Sequence, residues 1–126
     1  HGPVAPQEIA RVQASSGVFL MTTFAGYEGF PTVIVESLAA GMPVVSTEGA
    51  DPAGLVQDGR NGLLVNPGDL DGLTGALAAL LTNPALRDVF RAAGRRTVET
   101  RYSFATRMQR LARLYDELLA VNPVPS

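Results

Sequence analysis

The chain begins with a mixed segment in which Pro6 to Ser15 reads as a short helix, with Ile9, Val12 and Gln13 on neighbouring faces. Gly17-Val-Phe-Leu-Met-Thr22 follows as an uninterrupted apolar run of strand length. Apolar residues at successive positions suit a strand covered on both faces, as in a parallel sheet. After the loop Thr23 to Phe30, Pro31 sets φ for a helix start, and Thr32 to Ala40 continues that helix until Gly41 stops it. Pro43 to Ser46 is a second short buried strand. A loop from Glu48 to Gly54 and a turn at Asp58-Gly59 lead to a third strand, Gly62 to Val65, closed by Asn66-Pro67-Gly68.

Beyond that turn the period becomes helical. Asp69 caps a helix whose Leu70, Leu73, Leu77, Leu80 and Leu81 recur at helical spacing. Asn83, with Pro84 at the first helical position, opens another that runs to about Arg101. Ser103 caps the last helix, whose stripe is Phe104, Met108, Leu111, Leu114, Tyr115 and Leu118. Arg113 and Glu117, one turn apart, can pair there for about 0.3 kcal/mol. Residues 122–126, with two prolines, form a tail.

Short apolar strands alternating with helices predict an α/β fold with a partial Rossmann-like parallel sheet flanked by helices. All the predicted strands precede residue 66, and no strand precedes the first helix. A doubly wound nucleotide-binding domain usually has about six strands. Residues 1–121 are therefore expected to be the later half of such a domain, without its first strands.

Composition narrows the class. A length of 126 residues fits one domain, and 46% hydrophobic with 17% charged residues is a globular balance. No run of eighteen apolar residues occurs that could span a bilayer, and His1 to Ala5 lacks the character of a signal peptide. The absence of cysteine removes disulfides, thiolate metal sites and thiol nucleophiles, and fits a reducing compartment. The expected location is cytoplasmic, including a peripheral position at the inner face of the membrane. All ten basic residues are arginine, and eight lie between Arg87 and Arg113, against the two acids Asp88 and Glu99. That segment reads either as solvated helix faces or as a basic face for phosphate groups, an anionic membrane or a partner domain. A net charge of −2 and no aromatic–basic interleaving argue against nucleic acid as partner.

The stretch that carries chemistry is Tyr27-Glu-Gly-Phe-Pro-Thr-Val-Ile-Val-Glu-Ser-Leu-Ala-Ala-Gly41, joining a buried strand to a helix. Ligands of open parallel sheets bind outside the carboxyl ends of the strands. There the first helical turn offers the backbone N–H groups of Thr32, Val33 and Ile34, enough to hold a diphosphate without a metal. Glu36 stands among Val33, Ile34, Val35, Leu38, Ala39 and Ala40, where an unpaired carboxylate would be costly. Four residues after Thr32 and leaning toward the N-terminus, it can accept hydrogen bonds from vicinal ribose hydroxyls. Glu28, followed by Gly29 with its open backbone, suits a sugar. The plainer alternatives are a solvent-facing helix glutamate and a surface loop charge.

These residues resemble the signature of family-4 retaining glycosyltransferases of the two-domain GT-B fold. Glu28 opens Glu-Gly-Phe-Pro, and seven residues separate it from Glu36. The likeness continues through Ala39-Ala-Gly-Met-Pro-Val-Val-Ser-Thr47, Asp58-Gly-Arg-Asn-Gly-Leu-Leu-Val65, Pro67-Gly-Asp69 and Tyr102-Ser-Phe104, from about Val4 to Leu119. It implies the later half of a GT-B C-terminal, donor-binding domain, in whose sheet order Gly17 to Thr22 would neighbour the missing first strand and form an exposed apolar edge able to pair with a second copy. It also implies transfer of a sugar from a nucleoside-diphosphate sugar with retained configuration, without an essential metal or other cofactor. Glu28 would act at the donor sugar. Gly29, Phe30 and Pro31 would line the sugar and phosphate side, Thr32 and Val33 would donate to the diphosphate, and Glu36 would hold the ribose. The family's phosphate-binding arginine and lysine and its acceptor-binding N-terminal domain fall ahead of His1. Arg11, Arg60 and His1 do not replace them, so the chain alone is expected to be inactive. Gly49-Ala-Asp-Pro-Ala-Gly54 departs from the family's pattern, and Asp51 receives no role. The rival readings are a sugar-nucleotide epimerase of the same architecture and a non-catalytic nucleotide- or partner-binding module.

Overall fold

The computed structural model describes residues 5–24, 26, 29–51 and 53–121. Its helices are α1 (Pro6–Ser15), α2 (Thr32–Ala39), α3 (Leu70–Thr82), α4 (Pro84–Thr97) and α5 (Phe104–Val121). Its strands are β1 (Phe19–Met21), β2 (Val44–Thr47) and β3 (Gly62–Val65). The sheet is wholly parallel in the order β1-β2-β3, with Phe19 opposite Val44 and Val44 opposite Gly62.

Successive side chains of a strand point to opposite faces, so the central strand feeds two cores. Val44 packs with Ile34, Leu38, Leu55 and Val56 on one side. Val45 packs with Val65, Leu80 and Phe90 on the other. Every residue of β2 is buried. Among the described residues β1 pairs only with β2, and Leu20 remains 43% exposed at that edge.

Parallel strands need a crossover. Between β1 and β2 it is α2, which ends where Gly41 takes φ +76°. The Met42 N–H donates to the Ser37 carbonyl at 2.8 Å and the Gly41 N–H to the Leu38 carbonyl at 3.0 Å. This is the two-bond helix stop in which a left-handed residue, readily glycine, follows the last turn. Between β2 and β3 the chain uses a short 3-10 turn, Glu48–Ala50, and then irregular backbone. That segment still sends Leu55 and Val56 into the core, so its buried backbone groups require partners.

Asp51 and Asn61 supply them. The Asp51 carboxylate accepts from the Leu55 N–H at 3.0 Å and the Val56 N–H at 2.7 Å. The Asn61 side chain accepts from the Gln57 N–H at 2.7 Å and donates to the Leu55 carbonyl at 3.1 Å. Both side chains are buried, and each closes a loop that has no ladder of its own.

The helical caps lie where the sequence puts them. Asp69 accepts from the Gly72 N–H at 2.8 Å, Asn83 from the Leu86 N–H at 3.0 Å and Ser103 from the Thr106 N–H at 3.2 Å. Other expectations need correction. α4 does not run as an α-helix to Arg101: it widens into a π-helical turn, Val98–Tyr102. The hydroxyls of Thr97 and Thr100 donate to the carbonyls of Ala93 and Arg96, occupying acceptors of the regular ladder. Leu70 and Leu81 lie outside the apolar contact of α3, at 73% and 60% exposure, while Leu80 is fully buried. The stripe of α5 is exposed throughout, from 41% at Met108 to 78% at Phe104, because that helix meets the body mainly at the π turn. Arg113 and Glu117 form no ion pair; the pair within reach among the described residues is Arg91–Asp88 at 3.2 Å. Residues 122–126 and His1 lie outside the described residues.

Candidate functional site

The carboxyl ends of the strands collect the exits of β1, β2 and β3 on one edge of the sheet. The first two are tied together: the Thr47 hydroxyl donates to the Thr23 carbonyl at 2.7 Å and accepts from the Thr23 N–H at 3.2 Å. Beside them Thr22, Thr23, Phe24, Thr47 and the Asn66–Leu70 turn enclose a recess of about 220 Å³. None of the described residues proposed from sequence lines this recess. The Thr23 hydroxyl is buried with no hydrogen-bond partner among the described residues.

The proposed residues that are described, Gly29 to Val33 and Glu36, belong instead to the start of α2 and the segment leading into it. Pro31 is buried and forms the N-cap, and the Ile34 N–H donates to its carbonyl at 3.0 Å. That bond removes Ile34 from the set of free donors expected from the sequence. Thr32 and Val33, in the opening turn, have no intrahelical acceptor by helix geometry. Gly29 and Phe30 are exposed immediately ahead of them. The Phe30 ring leans on Tyr102, with centroids 5.9 Å apart and planes at 51°, so the π turn buttresses the entry to α2.

Glu36 is exposed, as is Thr32 one turn earlier, while Ile34, Ser37 and Leu38 are buried on the opposite side. Of the apolar residues around Glu36 in sequence, Ile34 and Leu38 turn inward, Val33 and Val35 are half-buried, and the glutamate itself faces solvent. It shares a solvent-facing stripe with Thr32. Glu28 and Tyr27 lie outside the described residues. Among the described residues no group of His, Cys, Asp or Glu side chains is assembled that could hold a metal ion.

Sequence reasoning missed three supports of this edge. Asp51 fixes the loop after β2, Thr47 ties β1 to β2, and Tyr102 backs Phe30. An aspartate ahead of a loop that returns to the core is a signal for the first. The other two are tertiary contacts between segments distant in the chain.

Residues 1–83 match the family described as glycosyl transferases group 1. The chain belongs to that family. Over 107 residues this group 1 glycosyltransferase chain is 36% identical to a phosphatidyl-myo-inositol mannosyltransferase of Mycobacterium leprae, covering 85% of the chain and 28% of that protein. Its fold is that of the C-terminal domain of LpcC, a group 1 family protein of Francisella tularensis. That likeness has a TM-score of 0.75 at 22% identity, over 82% of this chain and 52% of that one. Anabaena HepE, solved in complex with UDP, has the same fold with a TM-score of 0.77 at 24% identity, over 85% of this chain and 29% of that one. The three-stranded parallel sheet with its helices thus matches GT-B glycosyltransferase C-terminal domains. The chain spans less than a third of the length of the curated relatives it matches first. No helix among the described residues is long and apolar enough to cross a membrane.

Proposed function

We propose that this chain is the donor-binding part of a retaining, family-4-type glycosyltransferase whose acceptor domain and first donor-domain strands lie elsewhere in a longer polypeptide. The observation that carries this reading is the exposed start of α2 at the carboxyl end of β1. There two free N–H groups, at Thr32 and Val33, stand one turn from the exposed Glu36. The helix dipole and these amides suit a diphosphate, and they would stabilise the charge that grows on it as the bond from phosphate oxygen to the sugar's anomeric carbon breaks. Glu36 would accept from the ribose hydroxyls, and Glu28 would act on the donor sugar beside Gly29 and Phe30. Binding of UDP by a protein of this fold supports the class of ligand. No essential metal is needed in this reading, since helix amides and cationic groups supplied by the rest of the polypeptide neutralise the leaving phosphate.

The test is titration of the full-length polypeptide with nucleoside diphosphates and their sugars, UDP-glucose and GDP-mannose among them. Glu36→Ala should weaken binding of the bare nucleoside diphosphate by about 1–3 kcal/mol, roughly 5- to 150-fold, as expected for a lost charged hydrogen bond. Glu28→Ala should lower turnover more than it lowers nucleotide affinity. Equal affinity of wild type and Glu36→Ala for every nucleoside diphosphate would refute the assignment of Glu36.

A further inference from the structure

A cleft of about 410 Å³ lies between the β2–β3 connection and the end of α4 with its π turn. Gln57 and Arg60 form one wall; Arg96, Thr97 and Arg101 form the other. Its volume is that of an ordinary small-ligand pocket. Three of its lining residues are arginines and none is acidic. The neighbouring carboxylate of Asp58 is turned to the backbone, accepting from the Leu64 N–H at 2.9 Å. No carboxylate pairs with Arg60, Arg96 or Arg101 among the described residues. The hydroxyls of Thr97 and Thr100 already donate to helix carbonyls, so the donors left for a ligand are the guanidinium groups and the Gln57 amide.

The π turn builds this arrangement. In a regular α-helix, residues five apart point about 140° away from each other. Bonds of the i→i+5 kind swing such residues back toward one side, and π-helical turns are frequent at functional sites. Arg96 and Arg101 are separated by that interval, and both reach the cleft. Arg101 is further held over the Tyr102 ring, its guanidinium carbon 5.4 Å from the ring centre. The backbone continues through the π turn to Ser103, so the negative end of the helix dipole falls beyond Thr97.

We propose that this cleft binds a phosphate group, either on a soluble phosphate compound or on the headgroup of an anionic lipid, independently of the donor site. Planar guanidinium forks converging on one cavity match the oxygens of phosphate in geometry as well as in charge. The test uses the whole chain in Hepes buffer at constant ionic strength. Inorganic phosphate should produce saturable NMR shifts at the Gln57, Arg60, Arg96, Thr97 and Arg101 amides and at the arginine Nε groups. Arg96→Gln combined with Arg101→Gln should weaken that binding at least about tenfold, the loss expected when charged hydrogen bonds to a phosphate are removed. Arg107→Gln combined with Arg110→Gln, the same charge change on α5, should leave it unaltered. Co-sedimentation with vesicles containing phosphatidic acid, set against neutral vesicles and competed by phosphate, assigns the source. Competed binding names a lipid headgroup, and phosphate shifts without vesicle binding name a soluble phosphate. The proposal is overturned if shifts fail to saturate, if chloride at matched ionic strength reproduces them, or if the α5 control loses as much affinity as the cleft variant. Circular dichroism of both double variants checks that they remain folded.

Discussion

Removal of the Asp51 carboxylate isolates what holds the β2–β3 crossover in place. Asp51 is 7% exposed, and its two oxygens take the N–H groups of Leu55 and Val56, residues exposed by 0% and 3%. In Asp51→Ala those donors would have neither the carboxylate nor water. Leaving a buried donor unsatisfied costs about 1–3 kcal/mol, so the pair should cost about 2–5 kcal/mol after partial relaxation. Asp51→Asn keeps one acceptor oxygen and sets an NH₂ against the second donor, so it should fall between wild type and the alanine variant. Domains of this kind are stable by about 5–15 kcal/mol, which places the loss within reach of urea denaturation followed by circular dichroism. The midpoint should drop with little change in slope, and hydrogen exchange at Leu55 and Val56 should accelerate more than at Val44 in β2. An Asp51→Ala variant within about 0.5 kcal/mol of wild type would show that the loop does not depend on this carboxylate.

Three other substitutions test the packing in the same assay. A Cβ at Gly62 would stand 2.4 Å from the Val44 carbonyl oxygen and 2.7 Å from the Val56 side chain, so Gly62→Ala should destabilise by about 1–3 kcal/mol; a neutral result would mean the strands are less tightly apposed. Phe90→Ala, at a position 1% exposed beneath the sheet, should cost about 3–5 kcal/mol, and a loss under about 1 kcal/mol would deny Phe90 its place in that core. Arg95→Ala removes the 3.3 Å hydrogen bond to the Ala40 carbonyl at the end of α2 and should cost about 0.3–1 kcal/mol, a loss that should be no smaller than that of Arg91→Ala.

The sequence made legible those features that depend on neighbours along the chain. The bounds of α1 and β3, the caps at Asp69, Asn83 and Ser103, and the stop at Gly41 are local in origin, and each is found where its residue type demands. The start of α2 was legible for the same reason. The features that were not legible arise between distant segments. Asp51 and Asn61 look like ordinary loop residues until the loop is seen to enter the core, where their hydrogen bonds become necessary. For Glu36 the sequence left a solvent-facing position open, and the helix places it so by sending Ile34 and Leu38 inward and leaving residue 36 facing out. The stripe of α5 has the period of a buried face, yet periodicity does not specify what covers it.

The arginine-rich second half shows why charge alone is a poor guide to function. Arg87 reaches back to the carbonyls of Leu80 and Leu81 at the end of α3, and Arg95 reaches across to Ala40 at the end of α2. In both places a guanidinium answers helix carbonyls that have no intrahelical donor, so its charge has a structural task. Arg91 pairs with Asp88 in solvent, where the interaction contributes little. Arg96 and Arg101 differ in kind: they belong to the same helical run, but the π turn brings them to one cavity with Arg60 and without a carboxylate. A run that looks uniform in sequence is thus divided by which acceptors the fold supplies. Arg87 and Arg95 close helix ends, whereas Arg60, Arg96 and Arg101 share a cavity in which an anion from outside would fit.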